Sequence, residues 1–165
     1  MDIIPSLVKE MEAEAVTTRK MLQLVPTEKL GWKPHEKSMN MQSLAVHIAE
    51  IPGWVKMAMQ TSEMDFGNMD YTPKTVNDAK YLLTIFEASF KEGMNALKNA
   101  KEEDLLPMWT MRTGEKIHMV MNKYEVIRHS LSQTIHHRAQ LGVYLRLLNI
   151  PIPGTYGPSA DDMSF

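Results

Sequence analysis

Cysteine is absent from the sequence. Disulfides, zinc–thiolate sites and a protein-borne thiol nucleophile are therefore excluded. Long apolar stretches are missing too. No run reaches the ~18 residues that a membrane-spanning helix needs, so no membrane association is expected. Neither sign of charge dominates: 18 Lys and Arg stand against 20 Asp and Glu, for a net charge of −2 at pH 7. Without a basic field or tail, nucleic acid is not an expected partner. There is no glycine-rich phosphate loop, and the acids near the histidines have no motif context that would support a Ser-His-Asp arrangement. The acids of TSEMDFGNMDYTPK do not follow the spacing of a calcium loop. The opening residues, MDIIPSLVKEMEAEA, carry no basic segment and no long apolar core. A signal peptide is not expected there, and the cytoplasm is the expected location.

The 165 residues, 44% hydrophobic and 23% charged, suit one soluble globular domain over residues 1–165 with its own core. The 15 methionines read as adaptable core filler.

Four amphipathic helices are predicted. The first covers residues 3–24, with Ile4, Leu7, Val8, Met11, Ala15 and Leu22 on one face and Pro5 in its first turn. The second begins after Asn40, a good N-cap, and buries Leu44, Ile48, Ile51, Val55 and Ala58. Pro52-Gly53 interrupts it. The third runs from about Val76 to Ala100, with Leu82, Phe86, Phe90, Met94 and Leu97 inward. The fourth runs from about Lys123 to Leu148, with Asn149 as its stop and Pro151 and Pro153 beyond. Between the third and fourth, PMWTMRTGEKIHMVMN reads as a short hairpin-like or irregular excursion with His118 exposed. The tail IPIPGTYGPSADDMSF is not helical, and Tyr156 suggests a segment pinned to the helices. The pattern is that of an all-α four-helix bundle.

The histidines concentrate in the fourth helix. Gln133 and His137 are four residues apart, so they lie ~40° apart on one face, one turn above the other. That spacing lets two groups on one helix grip one ion. His137 borders the apolar stripe near Leu141, whereas His136 points nearly opposite. His129 is eight residues from His137, a rise of ~12 Å, too far to share an ion with it. Arg138 lies close to the buried stripe. It must snorkel, pair with an acid from another helix, or anchor an anion. On the second helix, His47 borders the stripe between Leu44 and Ile48.

LAVHIAEIPGW in the second helix, IHHRAQLGVYLR in the fourth and PIPGTYGPSAD in the tail together resemble the DinB/YfiT-like superfamily of four-helix bundles. The resemblance covers most of the chain. It implies a divalent ion, Zn or Ni, held by three histidines. One histidine is on the second helix and two form an H-x-x-x-H pair on the fourth, the last of them preceding R-[GA]-Q. Carried over, the upstream ligand is His47 and the last is His137, followed by Arg138, Ala139 and Gln140. The middle position holds Gln133, and its amide oxygen is a harder, weaker donor for these metals than imidazole.

The resemblance further implies metal-assisted nucleophilic chemistry, either thiol-dependent transfer or hydrolysis. A low-molecular-weight thiol would be the activated cofactor. Arg138 would brace the site or hold an anionic cofactor or substrate, and a homodimer is implied. The alternative expectation is a non-catalytic small-ligand-binding or stress-response protein of the same fold. Its site would be degenerate and metal-free, with Gln133 hydrogen-bonded to His47 or His137.

Overall fold

A computed structural model describes residues 2–69, 71–72 and 74–163. Helix α1 spans Ile3–Leu22 and buries Leu7, Met11, Ala15 and Leu22, together with Glu14 and Thr18. Helix α2 spans Met41–Glu50, and its cap is the expected one: Asn40 Oδ1 accepts from the Ser43 N–H at 2.8 Å. After Pro52 the chain restarts as α3, Gly53–Gln60. The second predicted helix is therefore two helices, because proline at this point cannot supply the N–H that a continuous helix requires.

Helix α4 spans Ala79–Lys98. It starts a few residues later than predicted, where the Asp78 carboxylate accepts from the Tyr81 N–H at 2.6 Å. Gly93 of α4 is where the α2–α3 break comes closest. A Cβ on Gly93 would meet the Pro52 carbonyl oxygen at 2.1 Å. The break and the glycine are thus two halves of one contact.

The excursion before the last helix is a sheet. Strands β2 (Met108–Thr113) and β3 (Lys116–Asn122) pair antiparallel, and β1 (Glu63–Asp65) adds to β2 in parallel. The turn carries Gly114 at φ +56°, a conformation that favours glycine. Trp109 is fully buried, and its indole N–H donates to Thr61 Oγ1 at 3.0 Å. Strand β1 lies in TSEMDFGNMDYTPK, a stretch whose sequence shows no strand pattern. Charge and hydrogen bonding hold it rather than apolar alternation. Glu63 takes Arg112 in two bonds of 3.0 and 2.7 Å, and Asp65 accepts from the N–H groups of Gly67 and Gly114 at 2.9 and 2.8 Å.

Helix α5 spans Lys123–Leu147 and follows β3 directly. Asn122 and Glu125 form a reciprocal capping box, with bonds of 2.9 and 2.8 Å. The helix ends as its sequence indicates. Asn149 turns left-handed (φ 57°), while the N–H groups of Ile150 and Asn149 return to the carbonyls of Leu145 and Arg146 at 2.9 and 3.0 Å.

The described residues form five α-helices and one three-stranded sheet, against the four helices predicted, the second of them interrupted at Pro52-Gly53. Helix α1 and the α2–α3 pair each pack against both α4 and α5. Two apolar clusters result. One gathers Leu22, Leu44, Ile48, Leu82, Phe86, Leu141 and Leu145. The other gathers Leu7, Met11, Val55, Leu97, Trp109, Ile127 and Leu131. Along α1 and α5 a buried polar layer of Glu14, Thr18, Ser130, Thr134 and Arg138 falls between them. The tail is pinned, as Tyr156 suggested: its hydroxyl donates to Glu14, and Asp161 pairs with Arg146.

Candidate functional site

His47 sits in the last turn of α2, between buried Leu44 and Ile48. His137 sits two-thirds of the way along α5, between buried Thr134 and Leu141. Packing of α2 against α5 brings the two imidazoles together edge to face, with ring centroids 4.5 Å apart at 83°. Trp54, at the start of α3, meets His47 at 5.5 Å and 68°. Both histidines are half-buried.

Burial disfavours a charged imidazole. It pushes both pKa values below the ordinary histidine range. For His47 the neighbouring His137 adds to the lowering, and Glu50 opposes it. Glu50 is already engaged by the Tyr71 hydroxyl at 2.8 Å and Lys74 at 3.4 Å. For His137 a hydrogen bond donated to Gln140 opposes the lowering and His136 adds to it. Burial thereby favours the neutral form of the pair, the form in which imidazole binds metal.

The polar partners of the pair are unequal. His137 Nδ1 lies 2.9 Å from Gln140 Oε1, and Gln140 Nε2 lies 3.0 Å from His136 Nε2. The ring of His136 is 4.9 Å from that of His137. Among the described residues no hydrogen bond engages the His47 ring. Beside His137 a cleft of about 350 Å³ is lined by Ser38, Met39, Gln140, Val143 and Tyr144. Larger clefts, of about 570 and 550 Å³, lie against Lys56 and Glu92 and beneath the tail, and neither is lined by His47 or His137.

Gln133 is not joined to the pair. Its amide nitrogen sits 3.4 Å from His129 Nε2, one turn earlier on the same helix. Arg138 is 2% exposed and turns to α1. Its Nη2 lies 2.6 Å from Glu14 Oε2, and its Nη1 donates to the Glu14 carbonyl and to Thr18 Oγ1, both at 3.1 Å. The contact with Oε2 is ionic rather than an aligned hydrogen bond. The Tyr156 ring covers the guanidinium at 5.6 Å.

Gln140 was named from sequence only as a member of the motif after His137, and no role was given to Gln140, Trp54 or Glu14. For Gln140 the signal was present, since it falls three residues after His137 and four after His136.

Among the described residues, no group of three His, Asp or Glu is arranged to hold an ion. The donor set that does converge is two neutral imidazoles. It fits Zn or Ni as a partial ligand set, because both metals accept imidazole nitrogen. Further positions would fall to an amide oxygen, water or substrate.

Fold and geometry thus define a mostly helical protein with a two-histidine centre between α2 and α5. The chain belongs to the DinB family, whose family model matches residues 3–164. It is similar in structure to a DinB-like protein of Bacillus subtilis (TM-score 0.70, 18% identity, covering 91% of this chain and 97% of that one). A DinB-like protein of Bacillus cereus is similar at 0.70 and 18%, covering 91% and 95%. A candidate DinB family member of Exiguobacterium sibiricum is similar at 0.72 and 18%, covering 93% and 97%. At this identity the likeness is one of fold. No curated protein sequence matches the chain.

Proposed function

We propose that this chain is a divalent-metal protein built on the helical-bundle framework of its family, with His47 and His137 as the protein's principal ligands. The observation that supports it is the convergence of two imidazoles, 90 residues apart in sequence, to a centroid distance of 4.5 Å, with burial favouring the neutral form of both. Their side chains are half-buried rather than sealed, and His137 lines the adjoining cleft. Gln133, whose amide nitrogen rests on His129, would have only its amide oxygen to add. A bound ion would supply Lewis acidity and favour the deprotonated form of a water or a low-molecular-weight thiol, which suits hydrolysis or thiol transfer. Around it the chain's own residues do the positioning. Trp54 packs on His47, Gln140 holds His137, and the Met39 and Val143 side chains give the adjoining cleft apolar walls. Arg138, spent on Glu14 and Thr18, braces α5 against α1.

The test is elemental analysis of protein purified without a histidine tag and dialysed. Wild type is expected to retain Zn or Ni, and a His47→Ala, His137→Ala double variant to lose it. Equal metal content in the two would refute the reading. A second reading, a degenerate metal-free site for a small ligand, draws on one observation: among the described residues no third His, Asp or Glu joins the pair. The hydrogen bond from Gln133 to His47 or His137 that this reading calls for is not made, since Gln133 contacts His129.

A further inference from the structure

A glutamine side chain has a donor end and an acceptor end, and the two cannot be exchanged without turning the amide over. On α5 both ends of Gln140 are in use. The oxygen meets His137 Nδ1 at 2.9 Å and the nitrogen meets His136 Nε2 at 3.0 Å. An amide nitrogen has only protons to offer, so His136 Nε2 must be the lone-pair nitrogen of that ring. The amide oxygen has only lone pairs, so His137 Nδ1 must carry a proton. In a neutral imidazole one proton is available, and Nε2 of His137 is then the nitrogen with the free lone pair. Burial favours that neutral form.

We propose that Gln140 is a positioning residue that fixes the tautomer of His137, with His136 as the outer group that orients the Gln140 amide. His136 is thereby given a role without being a ligand. It sits on the exposed side of α5 as its spacing predicts, yet its ring is 4.9 Å from that of His137, close enough for one glutamine to span both. The proposal rests on the metal-site reading, because the free Nε2 is what an ion would take. Metal-ligating histidines generally hold their second ring nitrogen in a hydrogen bond, and losing that partner typically costs 10–100-fold in metal affinity.

The tautomer can be read without any metal. Metal-free protein labelled with 15N in its imidazoles is examined by long-range proton–nitrogen correlation at pH 8, above the ordinary histidine range. Wild type is expected to show His137 protonated at Nδ1. Gln140→Leu should move it to the Nε2-protonated form that imidazole prefers in water. Gln140→Glu should restore the Nδ1-protonated form, since a carboxylate accepts the same proton. Zn affinity, measured by competition with a chromophoric chelator, should fall about 10–100-fold in Gln140→Leu and stay close to wild type in Gln140→Glu. Gln140 is exposed, so both variants should keep the wild-type circular dichroism.

A wild-type His137 protonated at Nε2 would overturn the proposal, as would a tautomer that Gln140→Leu leaves unchanged. So would a lost tautomer with undiminished Zn affinity. If wild type binds no Zn while the tautomer responds as described, the metal-site reading fails and the positioning of His137 by Gln140 stands.

Discussion

Replacing Arg138 by methionine tests what holds α5 against α1. Arg138 and Glu14 are almost wholly buried, with side chains 3% and 10% exposed, and their charged atoms approach to 2.6 Å. Methionine keeps most of the volume and removes the charge. The Glu14 carboxylate is then left in the interior without its cation, although the Tyr156 hydroxyl still donates to it. Breaking one side of a buried pair costs about 3–5 kcal/mol, because an uncompensated charge remains. Glu14→Leu should cost a similar amount. It strands the guanidinium and also removes the Tyr156 partner, worth about 1 kcal/mol. Removing both charges should be far milder, since an apolar pair of similar volume is often neutral or stabilising. The coupling in the double-mutant cycle should therefore exceed about 2 kcal/mol. Urea denaturation followed by circular dichroism gives the three differences directly, provided the slope with denaturant is shared. If Arg138→Met stays within about 0.5 kcal/mol of wild type, or the two single effects add, the bracing role is wrong. An Arg138 free to hold an anionic cofactor would show that small effect.

Gln133→His should raise Zn affinity by well over tenfold, since an imidazole replaces an amide oxygen as third donor; an unchanged affinity in a chelator competition would argue that position 133 never reaches the ion. Gly93→Ala gains ~1 kcal/mol of helix propensity but drives a methyl group to 2.1 Å from the Pro52 carbonyl oxygen, a backbone atom that cannot step aside. A net loss of about 1–3 kcal/mol in unfolding free energy, read from urea denaturation, is expected, and a stabilised variant would show that the contact yields easily. The metal-free protein should also lose stability in acid through its histidine pair. Both rings have lowered pKa values in the fold, so below the unfolded value of about 6.5 the unfolded chain takes up protons first. Their contribution is intact above that pH and declines as pH falls through the folded values. In a His47→Gln, His137→Gln variant the drop in urea midpoint from pH 7 to 5 should be smaller than in wild type.

Much of this was legible in the sequence because local chemistry decided it. Asn40 and Asn149 mark helix ends through bonds made within a few residues, and both do so in the structure. The apolar stripe from Leu44 to Ala58 is buried as its spacing required. Long-range pairings were harder to see. Pro52-Gly53 announced a break, but nothing near it in sequence names Gly93 as the residue that makes room. Strand β1 has no periodic signature and exists through Arg112, 47 residues beyond Asp65. Glu14 could have been found. It continues the line Leu7, Met11, Thr18 and Met21 at alternating spacings of four and three, and an acid in such a line needs a partner. The candidate site was legible only in its positions. His47 and His137 meet, while the contacts of Gln133 and Gln140 depend on rotamers that no spacing reveals.

The buried polar layer between the two apolar clusters has a consequence for register. An apolar interface between two helices tolerates sliding, because one leucine resembles the next. Here a slip of α5 along α1 by one turn, ~5.4 Å, would set Glu14 opposite Thr134 or Gly142 instead of Arg138. Both charges would then lie unmatched among hydrocarbon, and Tyr156 would be carried away from its acceptor. The layer thus acts as an index mark for the helix pair: alternatives that bury as much apolar surface are excluded by their cost, and His137, one residue from Arg138, is set at the height of His47.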